Sequence, residues 1–229
     1  MFSDYRVFVG GQALDPARST SVTVMPDALV RRHPSGVVET LRLYDGEDVV
    51  GVEIGGAPDA PTLTIEGEMV RELGADQGLQ FYESMGDSPG QAPLSVAVGR
   101  AGDVFLVCSA NSREAAASLC AGAAREEPRW RAEKRARLER MLNAEQYVLT
   151  GDPRLTMSLR WLALTTDQLV TRQRGDGIYA GLPWFQEYWG RDSFIALAGA
   201  TLVTGRFEAA RPAPTSSTIW RGSRARASA

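Results

Sequence analysis

The chain holds 229 residues, 44% of them apolar and 23% charged, which is material for a packed core of one to two domains and excludes disordered, collagenous and disulfide-scaffold classes. Twenty-five basic against 28 acidic residues leave a net charge of −3, so no bulk attraction draws the chain to nucleic acid or to an acidic membrane. Every basic residue but Lys134 is an arginine, a skew that fits GC-rich coding better than phosphate recognition.

Residues Met1 to Arg6 lack the basic and apolar regions of a secretory signal, and no stretch approaches the ~20 apolar residues of a membrane span. A soluble cytoplasmic protein is expected. From Val22 to about Ser109 short β-type runs alternate with turn clusters, the pattern of an antiparallel sheet or sandwich. The expected strands are Val22–Val24, Val37–Tyr44, Val49–Ile54, Thr62–Ile65, Leu79–Tyr82, Leu94–Val98 and Val104–Cys108. His33 lies in the polar run Arg31-Arg32-His33-Pro34-Ser35-Gly36 and reads as an ordinary surface or turn histidine. Cys108 and Cys120 have no metal-ligand partners at suitable spacing and read as buried free thiols. No metal site and no cofactor are expected.

At Asn111 the apolar period changes from 2 to about 3.6, and Asn111 with Glu114 fits a capping box opening a helix through Ala123. Pro128 can start a second helix, whose charged residues between Arg129 and Arg140 suit a solvated linker laid across a neighbouring domain. A third helix is predicted from Pro153 to Arg172, with Asp152 as N-cap and Pro153 at the first helical position. Gly175-Asp176-Gly177 breaks it. A fourth begins near Asp192, runs to Val203 and ends at Gly205. Being apolar on every face, it needs other helices around it.

The segment from Gly177 to Arg211 carries the chemistry. Trp184, Phe185, Tyr188 and Trp189 precede an Arg191-Asp192 pair at a predicted helix mouth. Aromatic faces stack on the C–H faces of pyranose rings, while guanidinium and carboxylate groups bond sugar hydroxyls, so this mixture suits a carbohydrate. An aromatic run before a helix is also a common core element, and Asp192 can serve simply as an N-cap.

The runs Ala180-Gly181-Leu182-Pro183-Trp184-Phe185, Trp189-Gly190-Arg191-Asp192-Ser193-Phe194-Ile195-Ala196-Leu197 and Thr204-Gly205-Arg206 closely resemble the motif of the amylo-α-1,6-glucosidase domain of glycogen debranching enzymes, taken here as of bacterial type. The clear resemblance covers roughly Asp152 to Arg211. It implies an α+β chain: an N-terminal antiparallel β-sandwich (1–110), linker helices (111–150) and the first helices of an incomplete (α/α)6 barrel (151–211). It further implies an inverting glycoside hydrolase acting on glycogen or a branched α-glucan. Asp192 becomes the general acid, with Trp184, Phe185, Glu187, Trp189 and Arg191 around the substrate. An inverting pair needs a second carboxylate about 6.5–9.5 Å away, and by the same resemblance it has no counterpart in this chain. A related glycosidase for another α-glucoside or mannoside, and a non-catalytic carbohydrate-binding module, are the alternatives.

A helix N-terminus favours an ionised carboxylate, whereas a general acid must be protonated. Asp192 as both cap and acid would therefore face opposing demands. Twelve barrel helices also need far more chain than follows the linker. The run from Pro212 to Ala229, almost wholly Pro, Ala, Thr, Ser, Arg and Gly, reads as a disordered or out-of-frame tail.

Overall fold

The computed structural model describes residues 4–85, 92–143, 151–171, 177–181, 189–203, 205 and 207–210. The chain divides into two compact units, Met1–Arg137 and Leu138–Ala229.

The first unit is built on antiparallel strands: β1 (Asp4–Val9), β2 (Gln12–Ala13), β3 (Ser21–Val24), β4 (Leu29–Arg32), β5 (Val38–Leu43), β6 (Val49–Gly55), β7 (Thr62–Glu66), β8 (Val70–Asp76), β9 (Leu79–Ser84), β10 (Leu94–Ala101) and β11 (Val104–Ala110). They pair into a three-stranded sheet, β2-β1-β7, and an eight-stranded sheet, β3-β4-β5-β6-β11-β10-β9-β8. All seven strands expected from alternation are present. Of the four not expected, β2 is two residues long, β4 runs into the polar stretch around His33 and β8 is interrupted by an irregularity between Glu72 and Gly74, whereas β1 turns Tyr5, Val7 and Val9 alternately into the core.

Strand alternation sorts the large sheet's residues onto two faces. Val52, Ile54, Tyr82, Val96, Val98, Phe105 and Val107 meet Val7, Leu63 and Ile65 of the small sheet in one buried core. Tyr44, Val49, Phe81, Ala97, Val104, Leu106 and Cys108 form a second core on the other face with Ala116, Cys120 and Ala123. Tyr44, just past the end of β5, therefore turns toward a helix rather than toward water. The Asp76-Gln77-Gly78-Leu79 turn joining β8 to β9 holds both central residues at positive φ, 49° and 79°, which matches the right-handed twist of a hairpin.

That helix, α1 (Arg113–Asn143), is continuous through Pro128, where the sequence suggested two helices. Proline at 128 removes one intrahelical bond, but anchoring on both sides carries the helix through. Upstream, Ala116, Cys120 and Ala123 are buried against the sheet; downstream, Tyr44 donates to Glu127 Oε1 at 2.9 Å and stacks obliquely on Trp130 at 5.6 Å. Burial, and then the bond to Glu127, raises the Tyr44 pKa. A Cβ on Gly51 would overlap the Tyr44 hydroxyl, so glycine opens the space this tyrosine crosses. The helix cap also shifts by one residue: Ser112 Oγ, not Asn111, accepts from Ala115 N at 3.1 Å. The charge run pairs onto turns of the sheet, through Lys134 and Arg137 to Asp45 and through Arg135 to Asp27.

Two further expectations are corrected. Cys108 and Cys120 are buried as expected but joined in a disulfide, with Cα atoms 5.7 Å apart. Their spacing of 12 residues looks unremarkable in one dimension, yet β11 and the second turn of α1 bring them face to face. His33 is buried at 5% exposure, and its Nε2 lies 3.2 Å from Glu39 Oε2. Tyr5 and Arg31 also donate to Glu39, so the buried carboxylate is satisfied by groups from two other strands, β1 and β4, and by the His33 turn, as burial of a charge demands.

Candidate functional site

The resemblance falls in the second unit. Helix α2 (Pro153–Leu169) opens as expected, with Asp152 Oδ1 accepting from Arg154 N at 2.8 Å and Pro153 at the first position. It ends three residues before Arg172, because Val170 takes an extended conformation. The next two residues form β12 (Val170–Thr171), which pairs antiparallel with β13 (Gly177–Ile178). Beyond β13, Tyr179 N donates to Leu169 O at 2.9 Å, and both Ile178 and Tyr179 are buried. A small hairpin thus fixes where the Ala180-Gly181 start of the aromatic motif departs.

Helix α3 (Gly190–Leu197) begins two residues earlier than expected and is followed by one π-helical turn, Ala198–Leu202, in which Val203 N reaches back to Ala198 O at 2.9 Å. Gly205 takes φ 72° after this turn, the left-handed conformation expected of a residue that ends a helix. A short helix, α4 (Phe207–Ala210), follows. Trp189 is the N-cap residue of α3 and makes no side-chain cap bond. Asp192 stands at the third helical position, partly exposed, and is not the cap. The carboxylate is therefore not consumed as the cap residue, although in the first turn it still stands in the field of the helix N-terminus, which favours its ionised form.

Ser193, next to Asp192, carries a contact the sequence did not single out. Its Oγ donates to Ile178 O at 3.1 Å, tying the first turn of α3 to β13 and thereby holding the backbone that bears Asp192. The serine was visible in the motif, but its partner 15 residues away was not. Of the predicted site residues, Trp189, Arg191 and Asp192 stand at the mouth of α3, with Trp189 51% exposed and Arg191 exposed. Trp184, Phe185 and Glu187 lie outside the described residues. An indole face, a guanidinium and a carboxylate along one helix entrance supply the three kinds of contact a sugar ring uses. No group of three or more acidic, histidine or cysteine side chains suited to a metal ion occurs among the described residues.

The apolar helix is not enclosed. Phe194, Ile195 and Val203 are 72%, 75% and 76% exposed, and Leu202 and Phe207 are exposed as well. Within the described residues the second unit has the end of α1, the helices α2, α3 and α4, one π turn and a two-stranded hairpin, and these do not make a closed barrel. No described helix is long and apolar enough to cross a membrane.

Comparison with known proteins places the similarity on this same unit. Residues 152–216 match the model of a family described as amylo-alpha-1,6-glucosidase. The glycogen debranching enzyme of Saccharomyces cerevisiae is 35% identical over 83 residues, which cover 31% of this chain and 5% of that protein. The chain therefore spans a small part of the relative it matches, and the similarity supports the family without favouring a bacterial type. The family match begins at Asp152, the helix cap, and runs five residues past Arg211. No solved structure matches the chain.

Proposed function

We propose that the second unit is the opening of a glycoside hydrolase domain of the debranching type, which takes an α-1,6-branched glucan and uses Asp192 as general acid toward the leaving glycosidic oxygen. The observation that carries this reading is the coincidence of two features. The family match spans 152–216, and within it Asp192 sits in the first turn of α3 beside an exposed tryptophan and an arginine without serving as the helix cap. In this reading Trp189 supplies a stacking face, Arg191 bonds hydroxyls of the bound glucose, and Ser193 positions the turn. Residues 1–110 act as a supporting sandwich and 111–150 as the linker, and the family match reaches five residues into the run 212–229.

Inversion needs a proton donor on one face of the sugar and a base for water on the other. Asp192 can fill only one of these roles. With the second role assigned to no residue of these 229, the chain is read as binding glucan without turning it over. A panel of α-1,6-branched limit dextrin, linear α-1,4-maltooligosaccharide and α-mannoside, scored for both binding and released monosaccharide, tests the proposal. Retention of the branched glucan above the other two, with no glucose released, is expected. Preference for the mannoside would move the chain to another glycosidase class, and equal retention of both glucans would reduce it to a binding module. Glucose release at about 1–10³ s⁻¹, an ordinary enzymatic rate, would overturn the claim that the chain binds without turnover.

A further inference from the structure

The eight-stranded sheet has two outer strands, and they differ in kind. Strand β8 is defended: it carries Arg71, Glu72 and Asp76, is broken by the irregularity between Glu72 and Gly74, and pairs its charges with Glu83 and Arg113. Strand β3, Ser21-Val22-Thr23-Val24, has no charge, no proline and no irregularity in its pairing with β4. Bulges and charges are what keep an open strand from pairing with another chain. The β3 edge has neither.

The register shows what the open edge offers. Met25 N donates to Ala28 O at 2.8 Å, so by antiparallel alternation Thr23 and Ser21 direct their backbone groups at β4, while Val22 and Val24 direct theirs outward. Val24 also ends a cross-strand apolar row, Val52, Leu41, Leu29, Val24, that runs over four strands and stops at a side chain 57% exposed. Val22, on the same face, is 54% exposed.

We propose that a second copy of this chain adds its β3 to this edge, antiparallel about a two-fold axis through Thr23, continuing the sheet from one protomer into the next. The strand is complementary to itself. With Thr23 opposite Thr23 of the second copy, Val22 faces the copy's Val24 and Val24 its Val22, and these are the residues whose N–H and C=O groups point outward. Each pair exchanges two backbone hydrogen bonds. Val–Val and Thr–Thr are favourable cross-strand pairs, and the uncharged strand meets its own copy without repulsion. Any strand pairing with β8 would instead confront its charges. The two-fold operation also satisfies the requirement that a closed dimer interface be isologous.

An edge-to-edge contact of this size is a weak one, so the full chain is examined by light scattering up to about 100 µM, well above a micromolar dissociation constant. The mass should rise toward twice 24.8 kDa, and Val24→Lys should return it to one chain with unchanged circular dichroism. In parallel, Thr23→Cys should give a covalent dimer under oxidised glutathione at least tenfold faster than Arg71→Cys on the β8 edge. Thr23 forms the closely approaching, non-hydrogen-bonded pair at the axis. The two native cysteines are already paired with each other. A monomer at all concentrations, or equal cross-linking rates at the two edges, would overturn the proposal. So would association that survives Val24→Lys, which would assign it to the exposed helices of the second unit.

Discussion

The two units invert each other. The first buries its apolar residues on both faces of a large sheet, and nothing in its sequence names a function. The second carries the similarity to a known family and leaves Phe194, Ile195, Leu202, Val203 and Phe207 in water. A motif identifies chemistry without guaranteeing a closed structure around it, while strand alternation builds a closed structure without identifying chemistry.

The largest expected effect comes from cutting the core of the first unit. Leu106 is 0% exposed, and Leu106→Ala should cost about 2–5 kcal/mol in urea unfolding through lost burial and the cavity it leaves. The matching cut in the second unit, Phe194→Ala, removes a side chain that is 72% exposed and should change stability by no more than about 0.5 kcal/mol. Comparable losses at the two positions would erase the contrast between the units. Next in size is the Cys108–Cys120 disulfide, which closes a separation of 12 residues between β11 and α1. Its reduction should lower the stability of the first unit by about 3 kcal/mol, seen as a lower melting temperature with dithiothreitol. The second unit has no cysteine, so its own transition should not move.

The smallest effect is alkaline. Burial first, and then hydrogen bonding to Glu127 and Glu39, raise the pKa values of Tyr44 and Tyr5 above the ordinary tyrosine value of about 10. A raised tyrosine pKa means that the folded state holds its proton longer than the unfolded chain. This contribution is therefore complete below about pH 10 and is lost as the pH climbs beyond it. Unfolding midpoints of the first unit should fall on the alkaline side, and Tyr5→Phe/Tyr44→Phe should flatten that fall while lowering stability at neutral pH. A fall that persists in the double variant would assign the titration to other groups.

How much of this could be read from the sequence follows from the range of the forces involved. Local periodicity and turn chemistry gave the seven alternating strands, the Asp152 cap and the terminating role of Gly205, because each is decided within a few residues. Strand β8 was not legible, since its charges and its irregularity hide any alternation. His33 was misjudged for the opposite reason: an imidazole in a polar run looks solvent-bound until it meets the buried Glu39, on which Tyr5 and Arg31 from other strands also converge. The disulfide and the passage of α1 through Pro128 depend on the sheet against which the helix packs. At the site, Trp189, Arg191 and Asp192 came from the motif. That Asp192 lies inside the helix rather than on its cap, and that Ser193 reaches Ile178, required the fold.

The central claim is that the mouth of α3 binds a branched glucan through Trp189 beside Asp192. Its most direct test is a fluorescence titration of the full chain with α-1,6-branched limit dextrin, run alongside Trp189→Ala and Asp192→Asn. The account predicts saturable binding, weakened at least tenfold by Trp189→Ala, a loss of about 1.4 kcal/mol. Asp192→Asn should leave it nearly unchanged, because the amide keeps the shape and hydrogen-bonding reach of the carboxylate. No saturable binding, or binding as tight in Trp189→Ala as in the parent chain, would contradict it.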